Sequence, residues 1–595
     1  MSGKIVSIGG ASAFWGDSAL YVENLILTAD LDYLVFDYLA EITMSLLARA
    51  KARDPAAGYA PDFIAALTPF LGTIKERGIR IVSNAGGVNP LACRDSLLRA
   101  AAASSVDLKV AVVLGDDVLP LAQELRRDGV HDLSDGRALP ARLMSANAYL
   151  GATPIARALD TGADVVITGR CVDSAVTLGP LIHEFGWSET DYDLLSAGSL
   201  AGHLIECGPQ ATGGLFTDWE DVPGWDNMGS PIVTFTSDGS FTVTKPKGTG
   251  GLVSPATIAE QLVYEIGDPA AYVLPDVVCD WTSVRLHQSG KDEVTVTGAR
   301  GRVPTPTYKV AATYPDGYRT IATMMIGGID ADRKARRVAD ALIERTRTQL
   351  RRRNIPDYRA VDVEILGTEA TYGPHARIKA PREVILKLAV HHDDKDAIDL
   401  LAREFLPSAS SMAQGITGFA GGRPGVSPVV RLFSFLIEKE RLSPTVIDAD
   451  GNEHPVKVTS RNCTPLTVSM RVGAPTPASF GAATKTVPLI QLAHGRSGDK
   501  GNTANIGIIA RDPAHMPLLR EALTEEAVAA YFSHILTGAV QRFELPGINA
   551  LNFLLHGALG GGGMASLRYD PQGKALAQMM LDMPIAVPST FGGLS

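Results

Sequence analysis

The densest concentration of reactive side chains lies near the C-terminus, in His494-Gly495-Arg496-Ser497-Gly498-Asp499-Lys500-Gly501-Asn502-Thr503-Ala504-Asn505. An imidazole, two cations and a carboxylate alternate there with glycines, between two apolar runs. Such a turn is poor packing material, but it fixes an anion well through charge-assisted hydrogen bonds and backbone amides. Arg496, Ser497, Asp499 and Lys500 are therefore candidate contacts for a carboxylate or a phosphate; a solvated hairpin is the alternative. A second concentration is His203-Leu204-Ile205-Glu206-Cys207-Gly208-Pro209-Gln210. His203 and Glu206 are three apart, so a helical turn sets both on one face. An imidazole beside a carboxylate can move a proton, and Cys207 would be a nucleophile if ionised; a polar pair closing a helix end over a buried Cys207 is the alternative. The spacing is not that of a helical zinc site and no second histidine is close, so this stretch does not complete a metal site.

Three more loops follow short apolar runs. Gly9, Gly10, Trp15 and Asp17 fall in the first, where an α/β sheet offers helix N-terminal amides to an anion; a tight strand–helix connection with a buried Trp15 is the alternative. The pattern is not GxGxxG, so a nicotinamide site has little support. Asn84, Gly86, Gly87 and Asn89 fall in the second, and the side-chain amides of Asn84 and Asn89 can orient a carbonyl or carboxylate; ordinary turn chemistry is the alternative. Asn147 and the stretch Thr168-Gly169-Arg170-Cys171-Val172-Asp173-Ser174 offer similar groups further on. Arg170 is read as an anion clamp, with Asp173 as its tuner or as a base; a structural Arg170–Asp173 pair is the alternative. Lys245 to Gly251 lacks the Walker spacing and reads as an exposed hairpin connection.

These loops need a scaffold that gathers them. Ile5–Ile8, Tyr33–Phe36, Ile79–Val82, Lys109–Leu114 and Ala163–Ile167 are short Val- and Ile-rich runs separated by helical patterns. That alternation predicts a doubly wound, parallel-type α/β layer over residues 1–218, in which loops converge on one sheet edge; an irregular barrel is the alternative. Residues 219–470 read as an α+β part: a hairpin at Ile232–Thr244, strands at Val294–Thr297 and Glu383–Leu388, and one amphipathic helix through Val338, Leu342 and Leu350. Residues 471–488 are rich in Gly, Ala, Pro and Thr and read as a linker. Residues 489–595 read as a small α+β domain, with strands at Leu489–Ala493, Asn505–Ala510 and Val540–Glu544 and a helix capped by Thr524.

The 595 residues carry 45% hydrophobic and 20% charged side chains, enough for more than one core. A net charge of -10 with 6% aromatics speaks against nucleic acid. No apolar run is long enough for a membrane span, and the N-terminus shows no secretory signal. Five scattered cysteines with no CxxC fit a reducing cytoplasm rather than a disulfide framework.

The stretches IGGASAFWGDS, SNAGGVNP, ITGRCVDSAV, GHLIECGPQATGG and YEIGDPAAYVLPDV resemble the acyclic terpene utilization A family. The tail, AHGRSGDKGNTANIGIIAR through ELPGINALNFLLHGALGGGG, resembles the ferredoxin-fold domain fused to it. The resemblance implies a role in bacterial catabolism of acyclic terpenes and related branched acyl-CoA compounds, and transfers no catalytic residue set. Two readings follow. The first is a hydratase- or lyase-type enzyme on a branched acyl-CoA or carboxylate, with no redox cofactor and CoA only as part of the substrate. His203, Glu206 and Asp173 would do its proton chemistry. The second is a non-catalytic binding or assembly subunit. A homo-oligomer is compatible with either. The enzyme reading requires His203, Glu206 and at least one cationic loop around a common pocket.

Overall fold

The computed structural model describes residues 4–419, 422–458 and 483–588. Six short strands open the chain: β1 (Ile5–Gly10), β2 (Tyr33–Phe36), β3 (Arg80–Ser83), β4 (Val110–Leu114), β5 (Ser145–Ala148) and β6 (Val165–Thr168). All but β5 form a parallel layer in the order β1-β2-β3-β6-β4. Their near-continuous apolar sequences follow from burial on both faces. Tyr33 and Val35 enter one core, while Leu34 and Phe36 enter the other. The chain steps from β1 to β4 in one direction, with helices Ala19–Thr28, Glu41–Arg53 and Pro90–Ala103 packed on one face. It then turns back from β4 to β6. Right-handed crossovers require the helices to change face at that reversal, and Thr153–Asp160, Ala175–Phe185 and Tyr192–Ile205 lie in the opposite core. The doubly wound layer expected from the sequence is present.

The change of pattern near residue 219 is not a break in this sheet. Ile232–Thr236 pairs antiparallel with β1 and continues through Phe241–Thr244 and Glu293–Thr297 to Arg285–Gly290. Thr445–Ile447 joins the far edge on β4, in an eleven-stranded sheet. In exchange, β5 leaves the first layer and pairs with the long strand Thr307–Gly327. That strand changes register at Pro315–Tyr318. Its first half packs into the main core, and its second half, with Glu383–His392, carries the helices Ala331–Arg352 and Lys395–Phe405.

In the tail, the expected strand Leu489–Ala493 is instead a 3-10 turn over Leu489–Gln491, because Leu489 and Leu492 both turn inward to the tail core. The residues read as a polar loop form the strand itself: Ala493–Lys500 pairs with Thr503–Ala510, leaving only Gly501-Asn502 as the turn. Ala550–Leu555 and Val540–Leu545 complete a four-stranded antiparallel sheet. The helix expected after Thr524 spans Glu525–Tyr531, with the Thr524 hydroxyl accepting from the Ala527 amide. Of the expected linker, Ala483–Pro488 is a strand paired with Pro584–Pro588, and 471–482 lies outside the described residues.

Candidate functional site

The tail seats its polar strand on the segment 263–267 that follows the helix Pro255–Leu262. Asn505 accepts from the Glu265 amide at 2.8 Å and donates to the Val263 carbonyl at 2.7 Å. Asn552 donates to the Ile266 and Gly267 carbonyls. Glycine permits this approach. A Cβ on Gly498 would lie 2.6 Å from the Tyr264 ring, and one on Gly507 would lie 2.1 Å from Val263. Glu265 sits at φ 54°, a left-handed conformation costly for a glutamate and held here by the contacts around it. The docking delivers Lys500, whose ammonium lies 3.5 Å from Glu265, to a pocket in the body.

That pocket has a volume of about 350 Å³, within the range of about 300–1,000 Å³ usual for small-molecule sites. Leu133, Val172, Leu274, Pro275 and Leu436 supply an apolar wall. Asp173, His203, Glu206, Lys309 and Lys500 supply the polar side, with Tyr149 and Tyr272. Three elements and the tail are needed to bring these groups together. Asp173 follows β6, and His203 and Glu206 end the helix Tyr192–Ile205. Lys309 stands on the long strand, with its carbonyl held by the Tyr149 amide at 2.9 Å.

His203 has both ring nitrogens engaged. Nε2 lies 3.1 Å from the Leu262 carbonyl and Nδ1 lies 3.1 Å from Glu206 Oε1. A carbonyl only accepts, so Nε2 carries the hydrogen. In the neutral ring Nδ1 is then an acceptor, and Glu206 must donate to it. The electrostatics agree. Burial pulls the His203 imidazole down to about 4. Burial, reinforced by the charge of Asp173, pushes the Glu206 carboxyl well above its ordinary range. Burial also raises Asp173, and Arg170 and Lys500 oppose the rise in both carboxyls. Both are thus pushed toward holding a proton, Glu206 further than Asp173. Burial and Glu206 push the Cys207 thiol well up, which leaves it no thiolate character.

A second layer fixes the first. The Arg170 guanidinium, 3% exposed, donates to the Leu39 carbonyl and to Asp173 at 3.4 Å, and stacks 4.2 Å from the Tyr149 ring centroid. The Tyr149 hydroxyl donates to Glu41 at 2.6 Å. Burial would raise the Glu41 carboxyl, but Arg170, Lys309 and this hydrogen bond hold it at about 2. Among the described residues no cluster of His, Cys, Asp and Glu has the geometry to hold a metal ion.

Family comparison fits this two-part construction. The acyclic terpene utilisation family protein AtuA matches residues 6–447, and the AtuA ferredoxin-like domain matches residues 487–586. The chain belongs to the AtuA family. No curated protein and no solved structure matches it.

The other candidate residues of this AtuA-family chain lie apart from the pocket. Gly9 and Gly10 pack against Leu25 and Ile205. Asp17 accepts from the Ala13 and Ser18 amides and so closes its own loop, and Trp15 packs on the adjacent core. Asn84 is fully buried, accepting from the Tyr38 amide and donating to Asp37 at 2.5 Å. Gly86 packs on Thr168 and Pro90. Gly87, Asn89 and Asn147 line a separate cavity of about 530 Å³ with Asp116. In the tail, Arg496 bonds Gln210 and stacks 4.6 Å from the Tyr264 centroid. Ser497 donates to the Gly573 carbonyl, and Asp499 lies 3.7 Å from Lys574. Only one side chain of the predicted tail cluster reaches the pocket: Lys500.

Sequence reasoning missed Glu41, Glu265, Tyr272 and Lys309; Tyr149 lies beside Asn147 in a stretch already noted for its polar groups. The stretch YEIGDPAAYVLPDV contains Glu265 and Tyr272, yet neither stands in a motif with intrinsic chemistry. Lys309 lies in the plain β pattern Thr-Tyr-Lys-Val and gives no signal at all.

Proposed function

We infer that this family member is a hydratase- or lyase-type enzyme acting on branched, acyclic-terpene-derived carboxylates or acyl-CoA compounds. The observation that carries this reading is that Asp173 and Glu206, both raised by burial and Glu206 the further, line one pocket with Lys500 and an apolar wall. Asp173, the more readily ionised carboxyl, serves as base toward water. Glu206 carries the proton to be delivered, and His203 is a positioning residue that fixes it. On an α,β-unsaturated substrate the oxygen of water bonds to the β-carbon, and the proton it loses goes to Asp173. The electron pair of the carbon–carbon double bond takes a proton from Glu206 at the α-carbon. Atoms balance as one water added, and elimination is the same path reversed. Lys500 steadies the charge that develops on the carbonyl oxygen. The step needs no redox cofactor, and CoA enters only as a carrier of the acyl group.

The test is conversion of geranate and of geranoyl-CoA to the 3-hydroxy product, followed by mass spectrometry in ¹⁸O-water. The expected result is enzyme-dependent incorporation of one labelled oxygen, reduced by at least about 100-fold in Glu206→Gln. Labelling that is equal in that variant would remove the acid from the account. No labelling with either compound would favour a binding subunit.

A further inference from the structure

Two cations line the pocket, Lys309 and Lys500, and a third, Arg170, lies behind it; Arg170 and Lys500 are already occupied. Arg170 is held by the Leu39 carbonyl, Asp173 and the Tyr149 face. Lys500 pairs with Glu265. Lys309 differs. Among the described residues its ammonium has no hydrogen bond and no ion pair within 4 Å; its nearest partner is the Tyr149 ring, 5.1 Å from the centroid. Glu41 is the first counter-charge in its surroundings, but it makes no ion pair with Lys309 within 4 Å and accepts the Tyr149 hydroxyl instead. A half-buried ammonium that lines a pocket with no contact partner leaves its donors open to a ligand anion. Burial accordingly pulls the Lys309 amine down from its ordinary range despite Glu41, and Lys500 and Arg170 add to the fall. Lys309 sits between Tyr308 and Val310 on a strand paired on both sides, to β5 and to Ser427–Glu438, which fixes the point from which its side chain enters the pocket.

We propose that Lys309 is the anchor for the substrate's own carboxylate, so that the pocket selects a branched free acid over the corresponding alcohol. This rests on the function proposed above and narrows its substrate class. With the carboxylate at Lys309 the hydrocarbon lies along Leu133, Leu274 and Leu436, and the carbons next to the acid group come within reach of Asp173 and Glu206. Lys309 is a specificity residue in this arrangement, and Lys500 acts on charge that forms during reaction.

The experiment is calorimetric titration of the full-length chain with geranate and with geraniol, which share the hydrocarbon and differ in the head group. The wild type is expected to bind geranate at least about tenfold more tightly, the worth of one charge-assisted contact. Lys309→Met should equalise the two ligands, and Lys309→Arg should restore the preference. Lys500→Ala should keep the preference while lowering turnover. Melting curves establish that each variant is folded, and Lys309→Arg tests the anchor should Lys309→Met fail to fold. A preference for geranate undiminished in Lys309→Met, or equal affinities in the wild type, overturns the proposal. Glu206→Gln separates the two readings. It should bind geranate normally; full turnover in that variant would sink the catalytic reading and leave the anchor standing.

Discussion

Two cavities in this molecule invite the same functional reading, and they differ in how their polar groups are spent. The larger, at the carboxyl ends of β3 and β4, has the position expected of a ligand site in a doubly wound sheet. Yet its polar groups satisfy one another. Asn147 donates to Asp116 at 2.8 Å, Asp116 also accepts from the Arg170 amide at 2.9 Å, and Asn89 gives both amide hydrogens to the Pro55 and Ala57 carbonyls. In the smaller, closed by the tail, burial raises both Asp173 and Glu206, and among the described residues the Lys309 ammonium has no hydrogen bond or ion pair. We take that uncommitted ammonium, more than location on the sheet, as the mark of the proposed site.

The sharpest way to break that comparison is to exchange one group in each cavity. Glu206→Gln should cost at least about 100-fold in turnover with little change in melting temperature. Asn147→Ala should do the reverse, costing roughly 1–3 kcal/mol of stability by leaving buried Asp116 short of a donor, with turnover within a few-fold of wild type. Equal effects on turnover would erase the distinction. Next in size, Lys500→Ala should lower kcat about tenfold, with a smaller change in KM. A change in KM alone would make Lys500 a ground-state contact.

The carboxyl-edge cluster should also announce itself in the pH dependence of stability. Burial raises Asp116 to about 6 from an ordinary 3.8. The folded state therefore holds this proton more tightly than the unfolded chain. The resulting stability is present below pH 4 and is lost as pH rises to about 6, by roughly 2–3 kcal/mol. Asp116→Asn should remove that component from a series of denaturation curves between pH 4 and 7. An unchanged slope would mean that Asp116 ionises as an exposed aspartate does. Smallest of all, Asn89→Ala should cost about 1 kcal/mol through its two loop bonds, measured by denaturant unfolding, and leave ligand binding untouched.

What could be read in advance follows the range of the interactions involved. Strands such as Tyr33–Phe36 declare themselves because burial on both faces demands a continuous apolar run. The hairpin at Ile232–Thr244 does so through its Asp238-Gly239 turn. His203 and Glu206 share a helix face by local geometry, and their hydrogen bond needed no tertiary knowledge. Ser145–Ala148 could not be placed, since Ser-Ala-Asn-Ala has no period that identifies a partner strand. The glycines of the tail cluster suggested a turn; Gly498 instead lets a strand press against Tyr264, as Gly507 on the next strand does against Val263. The roles within the His203–Glu206 pair were also illegible, because the Leu262 carbonyl that fixes the imidazole comes from another helix. Lys309 was invisible for the same reason. Its chemistry lies in what surrounds it, and nothing in its neighbours along the chain carries that information.

The central claim is that Glu206 holds a proton at neutral pH against a neutral His203. Carbon-13 NMR of the chain labelled at glutamate side-chain carboxyls tests this directly, with Glu206→Gln identifying the resonance. The account predicts that the signal lost in the variant is that of a protonated acid at pH 7 and stays so well above the range in which exposed glutamates titrate. If the lost signal is instead that of an ionised carboxylate at pH 7, Glu206 is not the acid and the division of labour in the pocket is wrong.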